Sequence, residues 1–269
     1  MRNRSTRGIH GRITTFLVLA VTACDVSISA EDELGDRYAA AIESQLPILD
    51  DSAATAYLTG LGRRITAVAD DASRDWHFRL VDDTTVNAFA IPGGHVFVYR
   101  GLVERARTYS ELAGVLGHEV AHVTLRHSVD QFQARTRTSV IVTVFCSVVS
   151  ICSSTAAQVA LDVGGQALFA KYSRDDESEA DSAAVGYLVA AGIDPRGITS
   201  MFEQFASQRA HDPTALDAWF GSHPLEESRI RRTAALVTAY DRQRLDALEA
   251  NDASFPAFKE AVRSLRRRG

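Results

Sequence analysis

Two histidines stand four residues apart at His118 and His122, with Glu119 beside the first. On a helix, residues at that spacing share a face, so both imidazoles can reach one metal ion. Zinc is the ion this HExxH arrangement suits, because it takes imidazole ligands and keeps a position open for water. Glu119 is offset so that it can reach that water and remove the proton that zinc makes acidic. The chemistry such a set supports is metal-assisted hydrolysis.

Two histidines leave a catalytic zinc one protein ligand short. His127 does not supply it in the HExxHxxGxxH manner. That spacing needs a glycine and a histidine where this chain has Leu125 and Ser128. His127 therefore reads as a surface residue or a support for the ligands. The run Ser173-Arg174-Asp175-Asp176-Glu177-Ser178-Glu179-Ala180-Asp181 is the best source of a carboxylate. Glu177 and Glu179 both qualify by chemistry but point to different faces of a helix. Glu177 shares its face with Ala180, Asp181 and Ala184. Asp181 could then accept a hydrogen bond from the far nitrogen of a zinc-bound histidine. An acidic, solvated helix start favoured by the helix dipole would give the same composition.

The elements that must position these groups follow from pattern. Helical periodicity covers residues 38–46 and 53–68. Residues 76–81, 86–91 and 95–99 alternate as strands, with Pro92-Gly93-Gly94 as a hairpin turn between the last two. Thr108 and Glu111 have capping-box spacing, so the helix carrying His118 starts near Ser110. Further helices are predicted over 174–191, after Asp194-Pro195, over 225–240 and over 255–267. Together these give an α+β fold, mostly helical, with a small antiparallel sheet and the HExxH motif on a helix.

The chain has 269 residues and a net charge of −5, with 46% apolar and 23% charged residues. That suits one catalytic domain with short appendages and shows no basic stripe of the kind that binds nucleic acid. Arg266-Arg267-Arg268 reads as a solvated helix end. The N-terminus has Arg2, Arg4, Arg7 and Arg12, then an apolar stretch over 13–23. That is a secretory signal pattern. Val21-Thr22-Ala23-Cys24 fits a bacterial lipobox, so residues 1–23 read as a lipoprotein signal peptide with Cys24 as the lipidation site. Residues 24–35, polar over Glu31 to Asp36, read as a lipidated linker, and 36–269 as the catalytic domain. Lipid on Cys24 would hold an exported protein at a membrane. Cys146 and Cys152 read as two buried thiols. Residues 138–161 carry no charge and are long enough to span a bilayer, but a single crossing would part His118 and His122 from Glu177. They are expected to pack over the site or dip into a membrane surface.

Four segments in fixed order resemble the HtpX and CAAX-prenyl-protease group of zinc metallopeptidases, in its periplasmic branch typified by BepA and LoiP. They are Val86-Asn87-Ala88-Phe89-Ala90 with its glycine-rich turn, Gly117 to His122, Ser173 to Asp181, and Ser222-His223-Pro224 with Arg229. The resemblance implies a zincin-type fold and one Zn2+ held by His118, His122 and Glu177, with Glu177 rather than Glu179 as the third ligand. It implies that Glu119 is catalytic and that His223 and Arg229 either stabilise the oxyanion or, for His223, bind zinc and hold the enzyme latent. It also implies that Asn87, Ala88 and Phe89 form an edge strand pairing with an extended substrate. The expected activity is a metalloendopeptidase acting on unfolded or misassembled envelope proteins in the periplasm. A latent or chaperone-like zinc-binding lipoprotein is the alternative. No tetratricopeptide repeats follow the catalytic region, so the shorter LoiP-like layout fits better.

Overall fold

The computed structural model describes residues 27–70, 74–131, 133–134, 171–211 and 216–265. Cys24, Cys146, Cys152, residues 138–161 and Arg266–Arg268 lie outside the described residues. α1 (Ile28–Glu43) and α2 (Ser52–Ala69) lead into strands β1 (His77–Val81), β2 (Ala88–Ile91) and β3 (His95–Tyr99). A short α3 (Arg100–Arg105) precedes α4 (Tyr109–Thr124). Then come α5 (Arg174–Ala190), α6 (Arg196–His211), α7 (Asp217–Ser222), α8 (Glu227–Thr238), α9 (Arg242–Asp246) and α10 (Phe255–Leu265).

The sheet runs in the order β1-β3-β2. β2 and β3 form the expected antiparallel hairpin, with Gly93 and Gly94 at φ of 82° and 85° in its turn. Such φ values favour glycine. β1, however, pairs with β3 in parallel, His77 opposite His95 through Val81 opposite Tyr99. The sheet is therefore mixed, not antiparallel. The hairpin turn lays β3 into the space between β1 and β2, so the two outer strands oppose each other in direction and β1 and β3 agree.

Alternation along the strands divides the packing into two layers. Phe78, Leu80, Val96 and Val98 face the main core with Leu58 and Ile65 of α2 and Leu112 and Leu116 of α4. Val81, Ile91 and Phe97 face the other way, against Ala39 and Ile42 of α1. α1 is thus an outer cover on the sheet. It starts earlier than periodicity indicates, because Ser27 Oγ accepts from the Ala30 amide at 3.2 Å and caps it. Glu31–Asp36, read as linker, is helical, and Glu31 is fully buried, paired with Arg74 and Arg126.

α4 is the central element, with every residue from Tyr109 to Val123 buried. Its start is half a capping box. Thr108 Oγ1 accepts from the Glu111 amide, but the Glu111 carboxylate turns to the Arg107 amide at 2.6 Å. α5 has the complete box, Ser173 with Asp176. Asp194 Oδ1 accepts from the Arg196 amide at the start of α6. α4 and α6 meet backbone to backbone at Gly197. A Cβ there would sit 2.2 Å from the Ser110 carbonyl oxygen. Gly197→Ala is expected to lower the free energy of unfolding by about 1–3 kcal/mol through overpacking. Urea unfolding of parent and variant in chelator measures it, and an unchanged midpoint would contradict this close approach.

Candidate metal centre

Helix α4 presents His118, Glu119 and His122, and α5 crosses it to present Glu177 and Asp181. Small residues permit the crossing. Around Gly117 of α4, Ala184 and Leu188 of α5 lie only 3.6 Å from where a Cβ would be. α7 ends at His223, and α8 supplies Arg229. All seven of these residues are buried. Asp181 accepts from His118 Nδ1 at 3.0 Å. Four groups converge beyond it. His118 Nε2 lies 3.0 Å from His122 Nε2 and 3.3 Å from His223 Nδ1. Glu177 Oε1 lies 3.0 Å from His223 Nδ1 and 3.4 Å from His122 Nε2.

These distances decide whether a metal fits. With Asp181 accepting the Nδ1 proton of neutral His118, its Nε2 carries a lone pair. His122 is in the same state, for the reason given below. Two lone pairs 3.0 Å apart in a buried site repel unless a cation lies between them. A tetrahedral zinc with Zn–N of 2.0–2.1 Å sets its ligand atoms about 3.3 Å apart. One atom from each of His118, His122, Glu177 and His223 falls within a 4.8 Å cluster. The donor set, two to three imidazoles and one carboxylate, is that of zinc.

The charges around the centre are strongly coupled. Burial alone would raise the Glu177 carboxyl, but His223, His122 and His118 hold it well below the usual carboxylate range. Burial pushes Glu119 up, against the pull of His223 and His118. Burial and the neighbouring His118 push His122 well below the usual imidazole range, the neutral form a metal ligand needs. Burial opposes charge on His223, yet Glu119 and Glu177 outweigh it and raise its pKa.

Arg229 is placed differently from an oxyanion group facing the cleft. Its Nε and Nη2 form a two-pronged pair with Asp181 at 2.7 and 2.8 Å, and its Nη1 pairs with Glu177. Phe202 stacks under its guanidinium, 4.4 Å away. Arg229 thus fixes Asp181 and Glu177 from behind. Glu119 differs again, because no side chain donates a normal hydrogen bond to either of its oxygens, although the Ala90 amide is near enough to favour its ionised form. His223 Nε2 is 3.5 Å from its Oε1.

Glu119 and His223 form the floor of a cleft of about 390 Å³ whose walls include Asn87, Phe89, Tyr172 and Gly221. β2 is an edge strand of the sheet. Asn87 lies just before it, and its carbonyl accepts from the Tyr99 amide at 3.0 Å. Ala88 is fully buried and turns to the core, so Asn87 and Phe89 meet the cleft while Ala88 does not.

Three supporting residues escape a reading by spacing. Tyr172 stacks on His122 with ring centroids 3.7 Å apart and bonds Ser128 Oγ through its hydroxyl at 2.7 Å. Trp219 stacks on His223 at 4.6 Å. His127 is buried, not at the surface, with Nδ1 2.9 Å from His122 Nδ1 and Nε2 3.4 Å from Glu179. Glu179 accepts from His127 Nε2, so His127 Nδ1 accepts from His122 Nδ1. That fixes the His122 tautomer with its Nε2 lone pair toward the cluster. Arg126 makes this possible. Its φ of 61° turns the chain sharply after α4, and buried Glu31 holds its guanidinium at 3.0 Å.

Residues 52–237 match the model of peptidase family M48. A beta-barrel assembly-enhancing protease of Escherichia coli K12 is 27% identical over 211 residues, 76% of this chain and 43% of that protein. One from Yersinia pestis is 30% identical over 211 residues, with the same shares. The metalloprotease YcaL of Escherichia coli K12 is 35% identical over 159 residues, 58% of this chain and 59% of that one. The chain spans less than half the length of the two assembly-enhancing proteases.

His127→Ala is expected to weaken zinc binding 10- to 100-fold, the usual cost of losing a hydrogen-bond partner of a metal-bound histidine. His127→Asn, which keeps an acceptor, should recover part of it. Competition with a chromogenic chelator reads both, and equal affinity in all three proteins would contradict the role.

Proposed function

The chain belongs to peptidase family M48, and on that premise we propose that it is a zinc metalloendopeptidase that holds one Zn2+ through His118, His122 and Glu177. The observation that carries this reading is the clustering of buried ligand atoms from His118, His122, Glu177 and His223, beside a buried Glu119 carboxylate that no side chain caps with a normal hydrogen bond. Zinc bound there would acidify a water and polarise the scissile carbonyl.

The residues of this chain account for the rest. Glu119 takes the proton from the attacking water and returns it to the departing amine. Burial favours the protonated carboxyl in that second role. Asp181 and Arg229 hold His118 and Glu177 in place. The substrate enters as an extended strand beside Asn87 and Phe89 and displaces water from the cleft. An extended segment is required, so unfolded or misassembled proteins suit the site better than folded ones. Envelope proteins are the proposed class, in keeping with what the names of the relatives say of those proteins.

His223 supports a second reading of the resting state. Its Nδ1 stands where a fourth ligand would stand, 3.0 Å from Glu177 Oε1. As a ligand it would close the position that the attacking water needs, giving a latent enzyme. Swung outward it would donate to the oxyanion instead.

Export and anchoring belong to the same proposal. The basic, apolar start and the lipobox ending at Cys24 support a periplasmic lipoprotein. No described helix is long and apolar enough to cross a membrane.

Glu119→Gln is expected to keep one zinc per chain and to lose casein cleavage by at least about 100-fold. Zinc analysis alongside the assay checks both, and full cleavage by the variant would refute the assignment. His223→Ala is expected to raise cleavage. A fall instead would favour the oxyanion role.

A further inference from the structure

A second group of metal-ligating side chains lies on the opposite face of the sheet from the core. Asp36 of α1, His77 of β1 and His95 of β3 each offer one ligand atom, and these atoms lie within 4.8 Å of one another. His77 and His95 are register partners across the parallel pair, so their side chains leave the sheet on the same face. Their rings stack with centroids 4.7 Å apart. Asp36 approaches from the covering helix, with Oδ1 3.0 Å from His95 Nε2.

We propose that Asp36, His77 and His95 form a second divalent-cation site, suited to Zn2+, that clamps α1 onto the sheet. The donor set of two imidazoles and one carboxylate matches zinc. His95 is 94% buried at its side chain, and its Nδ1 has no hydrogen-bond partner. Coordination through Nε2 would replace its hydrogen bond to Asp36, with the ring proton carried on Nδ1. Either ring nitrogen of His95 can be presented to the ion by rotation of the ring.

The remaining members are free to adjust. Asp36 and His77 are 71% and 32% exposed at their side chains, which gives the ion a path in and room for water ligands. Asp36 Oδ1 and His95 Nε2 are already 3.0 Å apart, close to the roughly 3.3 Å spacing of zinc ligands, and the exposed Asp36 and half-exposed His77 side chains can move to complete the set. Asp75 is poised beside the cluster, with Oδ2 3.6 Å from His77 Nε2 and 88% exposure, and can supply an oxygen as fourth ligand. Arg79, a cation acting on His95, is already paired with Glu43 at 2.9 Å and so repels an incoming ion less.

The consequence is mechanical. α1 meets the sheet through a small apolar patch around Ala39 and Phe97 and through the Glu43–Arg79 pair toward its C-terminal end. The cluster secures the half of α1 nearer the N-terminus, next to the turn where Gly35 touches Pro92 and Gly93. An ion there would add a coordinate link between α1 and the β1–β3 pair, beside the Asp36–His95 hydrogen bond and the Glu43–Arg79 ion pair that already join them.

The test does not depend on the reading of the first centre. The purified protein is equilibrated with free Zn2+ at about 10 µM, where a micromolar site is mostly filled, and metal is counted per chain. Asp36→Asn and His77→Ala, both at exposed or half-exposed positions, should each bind one zinc fewer than the parent. They should leave casein cleavage unchanged, and in a Glu177→Gln background, where the other zinc is lost, added zinc should raise the Tm of the otherwise unaltered chain but not of chains that also carry Asp36→Asn or His77→Ala. Glu177→Gln separates the two sites, since it should lose the other zinc and retain this one. Equal zinc counts in the parent, Asp36→Asn and His77→Ala, or a zinc-dependent Tm that survives both substitutions in the Glu177→Gln background, would overturn the proposal.

Discussion

A buried carboxylate and a buried guanidinium, Asp181 and Arg229, are the pair on which the centre depends. Each alone would be a costly charge removed from water, and breaking such a pair typically costs 3–5 kcal/mol. Together they form a two-pronged ion pair that reaches outward in two directions. Asp181 orients His118, and Arg229 neutralises Glu177. The ligands are therefore set before any ion arrives, because their hydrogen-bonding states are fixed from behind. Thr233 completes the arrangement, donating to Asp181 Oδ2 at 3.2 Å.

The rest of the fold keeps this constellation dry and aligned. α4 is buried along nearly its whole length, so its two histidines cannot drift apart. α5 packs against it at Gly117 and brings Glu177 and Asp181 on one face. His122 has its own supports, with Tyr172 on its ring face and His127 on its far nitrogen. The hydrogen bond to His127 depends on the left-handed Arg126 and on Glu31, which lies in α1. The outer helix that covers the sheet is thereby connected, through one half-buried ion pair, to the turn after the C-terminal end of α4.

Much of this was legible in the sequence, and the reasons for the rest are specific. HExxH announces itself because helical geometry makes spacing equivalent to direction. Residue chemistry leaves Glu177 and Glu179 both open and the family resemblance selects Glu177, while only the structure shows Glu179 beside His127 instead. His127 was obscure because its contact needs a non-glycine residue in the left-handed region, which no local signal marks. Tyr172 and Trp219 are contacts between distant segments, and no periodicity records those. The strand alternation located all three strands, yet the parallel pairing of β1 with β3 depends on which strand fills the middle of the sheet. The start of α1 was misplaced because its polar first turns resemble a linker, whereas Glu31 is buried there against arginines distant in sequence. Arg229 enters through the family resemblance, and its direction, toward Asp181 rather than the cleft, is a property of packing.

The most direct test of the account is X-ray absorption at the zinc edge on the purified protein, compared with Glu177→Gln and His223→Ala in chelator-limited zinc. The account predicts one tightly held zinc with nitrogen and oxygen neighbours only, at about 2.0–2.1 Å, at least two of them imidazoles. It further predicts that His223→Ala leaves the ion bound, with one imidazole fewer in the shell if His223 closes the latent site and an unchanged shell if it serves the oxyanion. Sulfur in the shell, fewer than two imidazoles, or no zinc retained in chelator would contradict the claim that these buried groups exist to hold a catalytic metal.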